Sequence, residues 1–281
     1  MLTKILNLLL FFMMLAGLAN AKSFQLTSVN QAKPFNLRIY CTAEGKAALV
    51  QYKGQDGFMA LSLRKFTTSM LTNTNKRPEG YYYEWNEVLA GKVTGSYGVT
   101  EQSGKITDAW YTRNKDGRRF KLTGFVKDAS HDDIQKYLLH NVLVTFAWTS
   151  ADNQFMFMYP DGKVSSPNFI SLDAPNVTRS CYIRDYNFDG YDDLAFSLPD
   201  AGMGVYQDFD IWLYNPATRR FEPLQESKDA RVKCSGLCDV TLDAKQKLFY
   251  TACRGGARWW QDVYRIGKDN HLIWLRSVEK K

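Results

Sequence analysis

The sequence predicts a mainly β protein built from antiparallel strands, and three observations support this. Short apolar or alternating runs recur along the whole chain, turns containing glycine separate them, and only one stretch shows helical spacing. Short strands at intervals of roughly 8 to 12 residues, with turn residues between them, are typical of an all-β meander. The composition is that of a globular chain, since 45% of the 281 residues are hydrophobic and 14% are aromatic.

The first 21 residues are typical of a secretory signal peptide. Lys4 precedes an apolar run from Leu8 to Leu18, which ends at the small-residue site Ala19-Asn20-Ala21. The run is shorter than the roughly 20 residues of a membrane-spanning helix. We therefore expect cleavage after Ala21, a periplasmic or secreted mature chain, and no membrane span. Loss of Lys4 takes the formal net charge from +7 to +6, and because the basic residues are scattered, nucleic acid is not an expected partner.

Residues 22–128 are predicted to form a smaller, β-rich N-terminal domain. Its turn chemistry consists of short pairs ending in glycine, such as Ala90-Gly91 and Ser103-Gly104. The expected strands are 37–41, 47–52, 58–63, 81–88, 92–100, 106–112 and 118–123.

Residues 129–281 are predicted to form a second β domain, which begins with one short helix. Ser130 is suited to the N-cap, Asp133 follows at capping-box spacing, and an apolar stripe starts at Ile134. His140, near the end of this helix, is expected to be structural. The strands that follow are grouped in hairpins, and the acidic loop described next is not repeated. The domain is therefore expected to be a meander or an incomplete, propeller-like arrangement.

The segment RDYNFDGYDDLAF, residues 184–196, carries the most specific signal in the chain. Oxygen-bearing side chains occupy alternate positions on both sides of Gly190. Ca²⁺ takes roughly six to eight oxygen ligands, and a loop that wraps the ion needs a glycine at its sharpest bend. The sequence therefore predicts a calcium site. Its expected ligands are Asp185, Asn187, Asp189, Tyr191 through its carbonyl, and Asp193.

This loop differs from an EF-hand in two respects. Phe196 occupies the position of the bidentate glutamate, and the flanking residues alternate as strands do. We therefore expect a strand–loop–strand site in which Asp192 points outward. One continuous segment supplies most of the ligands, which favours a structural ion over a catalytic one. The alternative is a solvated turn that holds no ion.

Five cysteines are present in a chain expected to reach an oxidising compartment, which favours disulfides over metal thiolates. The odd number leaves at least one thiol without an intramolecular partner. Zinc is not expected, because the three histidines are not at ligand spacing with the cysteines. The disulfide candidates, whose pairing the spacing leaves open, are Cys234, Cys238 and Cys253.

Two stretches, KCSGLCDV and CRGGARWWQD, are candidates for partner contacts. A disulfide near the first would hold an exposed loop rigid and lower the entropy cost of binding. The second combines arginine and tryptophan, which are frequent at interface hot spots. The alternative for both is a tight turn with buried tryptophan. The candidate contact residues are Ser235, Gly236, Arg254, Arg258, Trp259 and Trp260.

No motif of a known catalytic site occurs in the chain, and we expect no enzymatic activity. The best carboxylate pair for a glycosidase is Glu84 and Glu87, in a segment rich in tyrosine and tryptophan. The alternative is a strand with aromatic residues on its core face and both glutamates in water.

The segment DYNFDGYDDLAF, followed by YQDFDIWLYNPATRRFEPL, resembles the calcium-binding C-terminal module of bacterial periplasmic immunity proteins. The loop is also similar to the calcium loops of FG-GAP-type repeats. LAGKVTGSYGVTEQSGKITDAWYTRNKDGRRFKL is similar to the β-rich segment that often precedes the module. Together these stretches cover about half of the mature chain.

The resemblance implies a role in competition between bacteria. Such proteins neutralise lysozyme-like, peptidoglycan-degrading effectors by inserting a loop into the effector's cleft, so the implied partner is a peptidoglycan hydrolase. The inserted loop would correspond here to Ser235-Gly236 or Ser96-Tyr97. Two alternatives stay open: a calcium-dependent envelope or glycan-binding module, and a hydrolase that uses Glu84 or Glu87.

Overall fold

The structure is a computed structural model that describes residues 20–69, 80–127, 134–147, 149, 154–168, 177–200, 206–255 and 257–280. These residues contain twenty strands and no helix, and every ladder between them is antiparallel, which confirms the prediction of a mainly β protein. Accordingly, the part of the chain that is described offers no helix that would cross a membrane. The predicted signal peptide, apart from Asn20 and Ala21, lies outside the described residues.

The first eight strands close into a barrel. Each strand pairs with the next one along the chain, and β8 returns to pair with β1. Closure of this kind removes the free strand edges that an open sheet leaves unpaired. The strands are β1 Lys22–Ser28, β2 Asn36–Cys41, β3 Ala48–Tyr52, β4 Met59–Ser69, β5 Gly80–Leu89, β6 Lys92–Gln102, β7 Lys105–Arg113 and β8 Arg118–Lys127.

Two of the barrel hairpins owe their geometry to the turn residues that the sequence supplies. Ala90 and Gly91 have φ values of 48° and 76°, and Ser103 and Gly104 have φ values of 49° and 75°. A two-residue turn with positive φ at both positions matches the twist of antiparallel strands. These turns therefore fix the register of β5 with β6 and of β6 with β7.

The barrel interior is filled by alternate side chains of its strands, many of them aromatic. Tyr83, Trp85 and Tyr97 are fully buried there. The Trp85 indole donates a hydrogen bond to the Gly45 carbonyl at 2.8 Å, and the Tyr83 hydroxyl donates to Ala43, also at 2.8 Å. The β2–β3 loop therefore closes one end of the barrel.

The remaining strands form three four-stranded antiparallel sheets in chain order. The first sheet contains β9 Ile134–Leu139, β10 Val142–Ala147, β11 Phe155–Met158 and β12 Val164–Ser165. The second contains β13 Ser180–Arg184, β14 Asp193–Pro199, β15 Gln207–Asn215 and β16 Arg220–Pro223. The third contains β17 Thr241–Asp243, β18 Leu248–Gly255, β19 Arg258–Ile266 and β20 Leu272–Lys280.

The prediction of a helix that starts after Ser130 is wrong over the residues that the structure describes. β9 pairs with β10 from Ile134 onward, and the hairpin turn is His140-Asn141, with φ values of 51° and 61°. Histidine and asparagine tolerate this left-handed conformation better than most residues. The proposed caps, Ser130 and Asp133, lie outside the described residues.

The three sheets stack face to face and share two apolar cores. Phe146 and Phe157 of the first sheet share one core with Phe196 of the second sheet. The other face of the second sheet packs against the third sheet. A propeller repeats roughly four to eight blades around a channel. The described residues form three such sheets, so the propeller-like arrangement stays an interpretation.

The barrel contacts the first sheet of the stack through its outer wall. Tyr40, Leu49 and Phe58 share an apolar cluster with Leu138 and Leu143. The amide of Phe58 also donates a hydrogen bond to the Pro160 carbonyl at 3.3 Å.

Candidate metal centre and recognition loops

The predicted calcium loop connects β13 to β14 at one edge of the second sheet. The last pair of the hairpin is Arg184 with Asp193. Phe188 and Gly190 have φ values of 63° and 93°, and an added Cβ at Gly190 would meet nothing within 4 Å. The chain therefore bends sharply at the glycine that the sequence places there.

The side chains in the first half of the loop turn inward over its backbone. Asp185 accepts hydrogen bonds from the amides of Asp189 at 3.1 Å and Gly190 at 2.9 Å. Asn187 accepts from the Asp189 amide at 3.1 Å, and Asp189 accepts from the Tyr191 amide at 2.9 Å. Three predicted ligands thus converge on one short stretch of backbone.

Asp193 has no accessible surface and ties two parts of the sheet together. Its carboxylate accepts hydrogen bonds from the amide of Tyr186 at 2.8 Å and from that of Tyr214 at 2.7 Å. Burial raises the pKa of this carboxyl to about 7. The two amide bonds lower the pKa, and the carboxylates of Asp189 and Asp185 raise it further.

Neighbouring sheets hold the loop from two directions. The imidazole of His140, in the β9–β10 turn, stacks on Tyr214 with ring centroids 3.9 Å apart, and its Nε2 lies 2.7 Å from the carbonyl of Asp192. From the third sheet, the Lys247 ammonium donates to the Phe188 carbonyl at 3.3 Å. The contacts of His140 and Lys247 with this loop were not predictable, because both join residues that are distant in sequence.

The donor set of the loop fits a hard cation. Carboxylate, amide and carbonyl oxygens are the ligands that Ca²⁺ takes, and an ionised carboxylate has about four lone-pair sites, more than its amide contacts use. Asn187 and Asp189 also line a cavity of about 380 Å³ together with Glu222 and Asp269. Within the described residues, no three His, Cys, Asp or Glu side chains are grouped as a metal site. Asp192 is exposed, as predicted.

One disulfide ties the segment before the third sheet to strand β18, and its pairing could not be derived from the cysteine spacing. Cys234 and Cys253 are bonded, with Cα atoms 5.4 Å apart. Cys238 is a buried free thiol, 3.2 Å from Oδ1 of Asp208. Burial raises the pKa of the Cys238 thiol to about 12, and the Asp208 carboxylate adds to this effect. The thiol is therefore kept protonated and is a poor nucleophile.

The Ser235-Gly236 loop begins at the disulfide and is anchored by a buried carboxylate. Asp262 accepts hydrogen bonds from the amides of Lys233 at 2.9 Å and Cys234 at 2.7 Å. Ser235 is exposed, and Gly236 has a φ of 77° with open space around it. The anchor at Asp262 was not predicted, because an isolated aspartate in a strand carries no sequence signal for it.

The second candidate surface is divided between the two faces of the third sheet. Side chains alternate along β19, so Trp259 and Trp260 point to opposite faces. Trp259 is 36% exposed and lies opposite Arg254 in the ladder. Trp260 packs against the cysteine cluster. Arg258 lies 3.6 Å from a carboxylate oxygen of Glu279.

The two candidate carboxylates of a hydrolase also lie on opposite faces of their strand. Glu84 is on the outer wall of the barrel, where Arg64 pairs with it at 2.7 Å. Glu87 points into the barrel and accepts a hydrogen bond from the Tyr97 hydroxyl at 2.5 Å. They do not form a pair across one substrate site. Ser96 and Tyr97 lie within β6, and Tyr97 is fully buried, so this dipeptide is not an exposed loop.

No protein-family model matches this chain, and no curated protein matches it either.

Proposed function

We propose that this protein is a periplasmic, calcium-stabilised inhibitor that binds and blocks a lysozyme-like, peptidoglycan-degrading enzyme. The observation that carries the proposal is the Asp185–Asp193 loop, in which hard oxygen donors surround a sharp bend at Gly190. In this proposal the ion is structural. It would neutralise carboxylates that otherwise repel one another and fix the edge of the second sheet.

The inhibitory element that we propose is the Ser235-Gly236 loop. The disulfide and Asp262 hold its first residues, and Ser235 is exposed beyond them. A loop that is ordered before binding loses less conformational entropy in the complex, as in tight enzyme inhibitors. The proposed partner is therefore an enzyme with a cleft that accepts a narrow loop.

The alternative is a calcium-dependent envelope or glycan-binding module without inhibitory activity. The exposed ring of Trp259 favours it, because an aromatic face is suited to stacking against a sugar ring. Sedimentation with purified peptidoglycan distinguishes the two functions. Binding lost in Trp259→Ala, without inhibition of any hydrolase, would support the alternative.

The metal is tested by thermal unfolding in calcium chloride and in excess chelator. A calcium concentration about 100 times the Kd adds about 2.7 kcal/mol, which raises the Tm by about 5 to 10 °C for a protein of this size. We expect Asp189→Ala to abolish this difference and Asp192→Ala, in the same loop, to retain it. A wild-type Tm that is equal in both solutions would contradict the calcium proposal.

Inhibition is tested with peptidoglycan suspensions and a panel of purified muramidases, including any encoded beside this gene. We expect the wild-type protein to slow one of them, and Ser235→Arg to lose that effect. Ser62→Arg is the matched control, because Ser62 is an exposed serine on the barrel wall. Equal inhibition by both variants would exclude the Ser235-Gly236 loop as the inhibitory element.

A further inference from the structure

We propose that the open end of the barrel is a binding pocket for a ring-bearing organic anion. The cavity there measures about 480 Å³, within the roughly 300 to 1,000 Å³ of small-molecule sites. It lies at the end opposite the β2–β3 loop, and the β1–β2 connection contributes to its wall. This function goes beyond the proposed inhibitor and does not depend on the calcium loop.

The apolar part of the pocket is a set of four aromatic rings: Phe35, Tyr52, Tyr111 and Phe120. Phe35 meets Phe120 edge to face, with centroids 5.4 Å apart, whereas Tyr111 and Phe120 are stacked at 5.9 Å. Phe35 and Tyr52 are half-buried, so parts of both rings are accessible. This surface suits a flat ring, which would pack by stacking or edge contacts.

A chain of hydrogen bonds inside the barrel holds this surface rigid. Glu87 accepts from Thr94 Oγ1 at 2.6 Å and from the Tyr97 hydroxyl at 2.5 Å. Because Tyr97 donates its hydroxyl hydrogen to Glu87, it can only accept from Tyr52. The Tyr52 hydroxyl therefore donates to the Tyr97 oxygen, 2.7 Å away. Toward a ligand, the Tyr52 oxygen acts as an acceptor. A surface that is already ordered reduces the entropy cost of binding.

The rim of the same pocket is cationic. Its lining includes Lys33, Arg113 and Arg118, and none of the described lining residues is an aspartate or glutamate. Arg113 forms an ion pair with Asp116, while the guanidinium of Arg118 lies 4.9 Å from the centroid of Phe120. A carboxylate attached to a ring that rests on the aromatic surface would reach these cations. Arginine is well suited to such a group because it can donate two parallel hydrogen bonds.

The shared chemistry, a ring with an attached carboxylate, is found in sugar acids and in aromatic acids. Calorimetric titration of the full chain with three probes separates the sources: N-acetylmuramic acid, its uncharged relative N-acetylglucosamine, and 1-naphthoate. We expect at least one of the two anions to bind, and N-acetylglucosamine to bind at least tenfold more weakly. Binding of N-acetylmuramic acid alone would assign the pocket to sugar acids, and binding of naphthoate alone would assign it to aromatic acids.

Variants locate the binding site on the barrel. The double variant Lys33→Gln and Arg118→Gln changes exposed side chains, and we expect it to weaken binding of the anion at least tenfold. Lys46→Gln with Lys105→Gln removes the same charge from the other end of the barrel and should bind as the wild type does. The proposal is overturned if neither anion binds, if the uncharged probe binds equally well, or if the two double variants behave alike.

Discussion

The barrel and the stack of three sheets are both built from antiparallel hairpins, yet they bury polar groups in different ways. In the barrel, the buried carboxylate of Glu101 is paired with the Lys22 ammonium at 2.6 Å. In the stack, the buried carboxylates of Asp193 and Asp262 each accept two backbone amides. Closure of the barrel depends on the pairing of β1 with β8, whereas in the stack buried carboxylates hold the loops through backbone amides.

This difference implies that single polar substitutions destabilise the stack most, whereas the barrel is destabilised most by changes that disturb the pairing of β1 with β8. Buried N–H groups without acceptors cost about 1 to 3 kcal/mol each. Two hydrogen-bonded strands tolerate a changed side chain on their outer face, but they do not tolerate a substitution that pushes their backbones apart. The predictions below test each half of this comparison.

The largest effect is expected for Asp262→Ala. The substitution leaves the amides of Lys233 and Cys234 without their acceptor, and the Ser277 hydroxyl keeps only the Arg231 carbonyl, at 3.5 Å. We expect a loss of about 4 kcal/mol in the free energy of unfolding, measured with urea. Asp243→Ala is the control, because Asp243 accepts two amides in an exposed turn; there the loss should be about 0.5 kcal/mol. Equal losses would show that burial of the carboxylate is not what matters.

The barrel is tested by Gly124→Ala in β8. A Cβ at Gly124 would lie 1.8 Å from the carbonyl oxygen of Gln25, in the seam where β8 meets β1. We expect the strands to separate at a cost of about 3 kcal/mol, with faster amide hydrogen exchange in β1 and β8. Gly104→Asn is the control, since Gly104 has a φ of 75° and open space around it. Unchanged exchange in β1 would mean that the seam accommodates a methyl group.

The disulfide of the third sheet should have a somewhat smaller effect. Replacing Cys234 and Cys253 by serine opens a link between residues 19 positions apart and is expected to cost about 2 to 3 kcal/mol. Faster hydrogen exchange should be confined to the Ser235-Gly236 loop and β17–β20. Cys238→Ser, which removes the free thiol alone, serves as the comparison. If it destabilises the protein as much as the double variant, packing of the cysteine cluster and not the bond is responsible.

The strands of this fold were largely predictable because each is marked locally. The expected strands 81–88 and 92–100, for example, lie within β5 and β6. The closure of the barrel was not predictable, because pairing of β1 with β8 joins segments about 100 residues apart and leaves no local signal. The helix was mispredicted because the stripe from Ile134 also fits a strand, and the His140-Asn141 turn was not recognised.

The candidate sites show the same limit. Alternation along a strand already implies that Glu84 and Glu87, three positions apart, face opposite sides, and that adjacent tryptophans do so too. The Asp185–Asp193 segment could be singled out as a candidate metal loop, because its oxygen-bearing residues and its glycine lie in one short stretch of sequence. The anchors that hold the loops, His140 and Asp262, come from other strands, and only the tertiary structure brings them there.

The smallest effect expected concerns the pH dependence of stability and involves one partly buried acid of the stack, Asp208. Asp208 lies among like charges: burial raises the pKa of its carboxyl, the Cys238 thiol lowers it, and Asp200 and Asp239 raise it. A raised pKa means that the folded state holds the proton more tightly than the unfolded state does. Stability from this group is therefore greatest at low pH and falls as the pH rises from about 3.8 through the folded-state pKa.

Asp208→Asn should remove this dependence, so that the variant loses less stability than the wild type as the pH rises. The measurement is the free energy of unfolding in urea at several values between pH 4 and pH 7. Asp239→Asn removes one of the repelling charges and should give an intermediate slope. Because Asp208 is only partly buried, water screens the effect and the slope should be shallow. Parallel curves for wild type and Asp208→Asn would show that the like charges around Asp208 are relieved by solvent, as in an exposed turn.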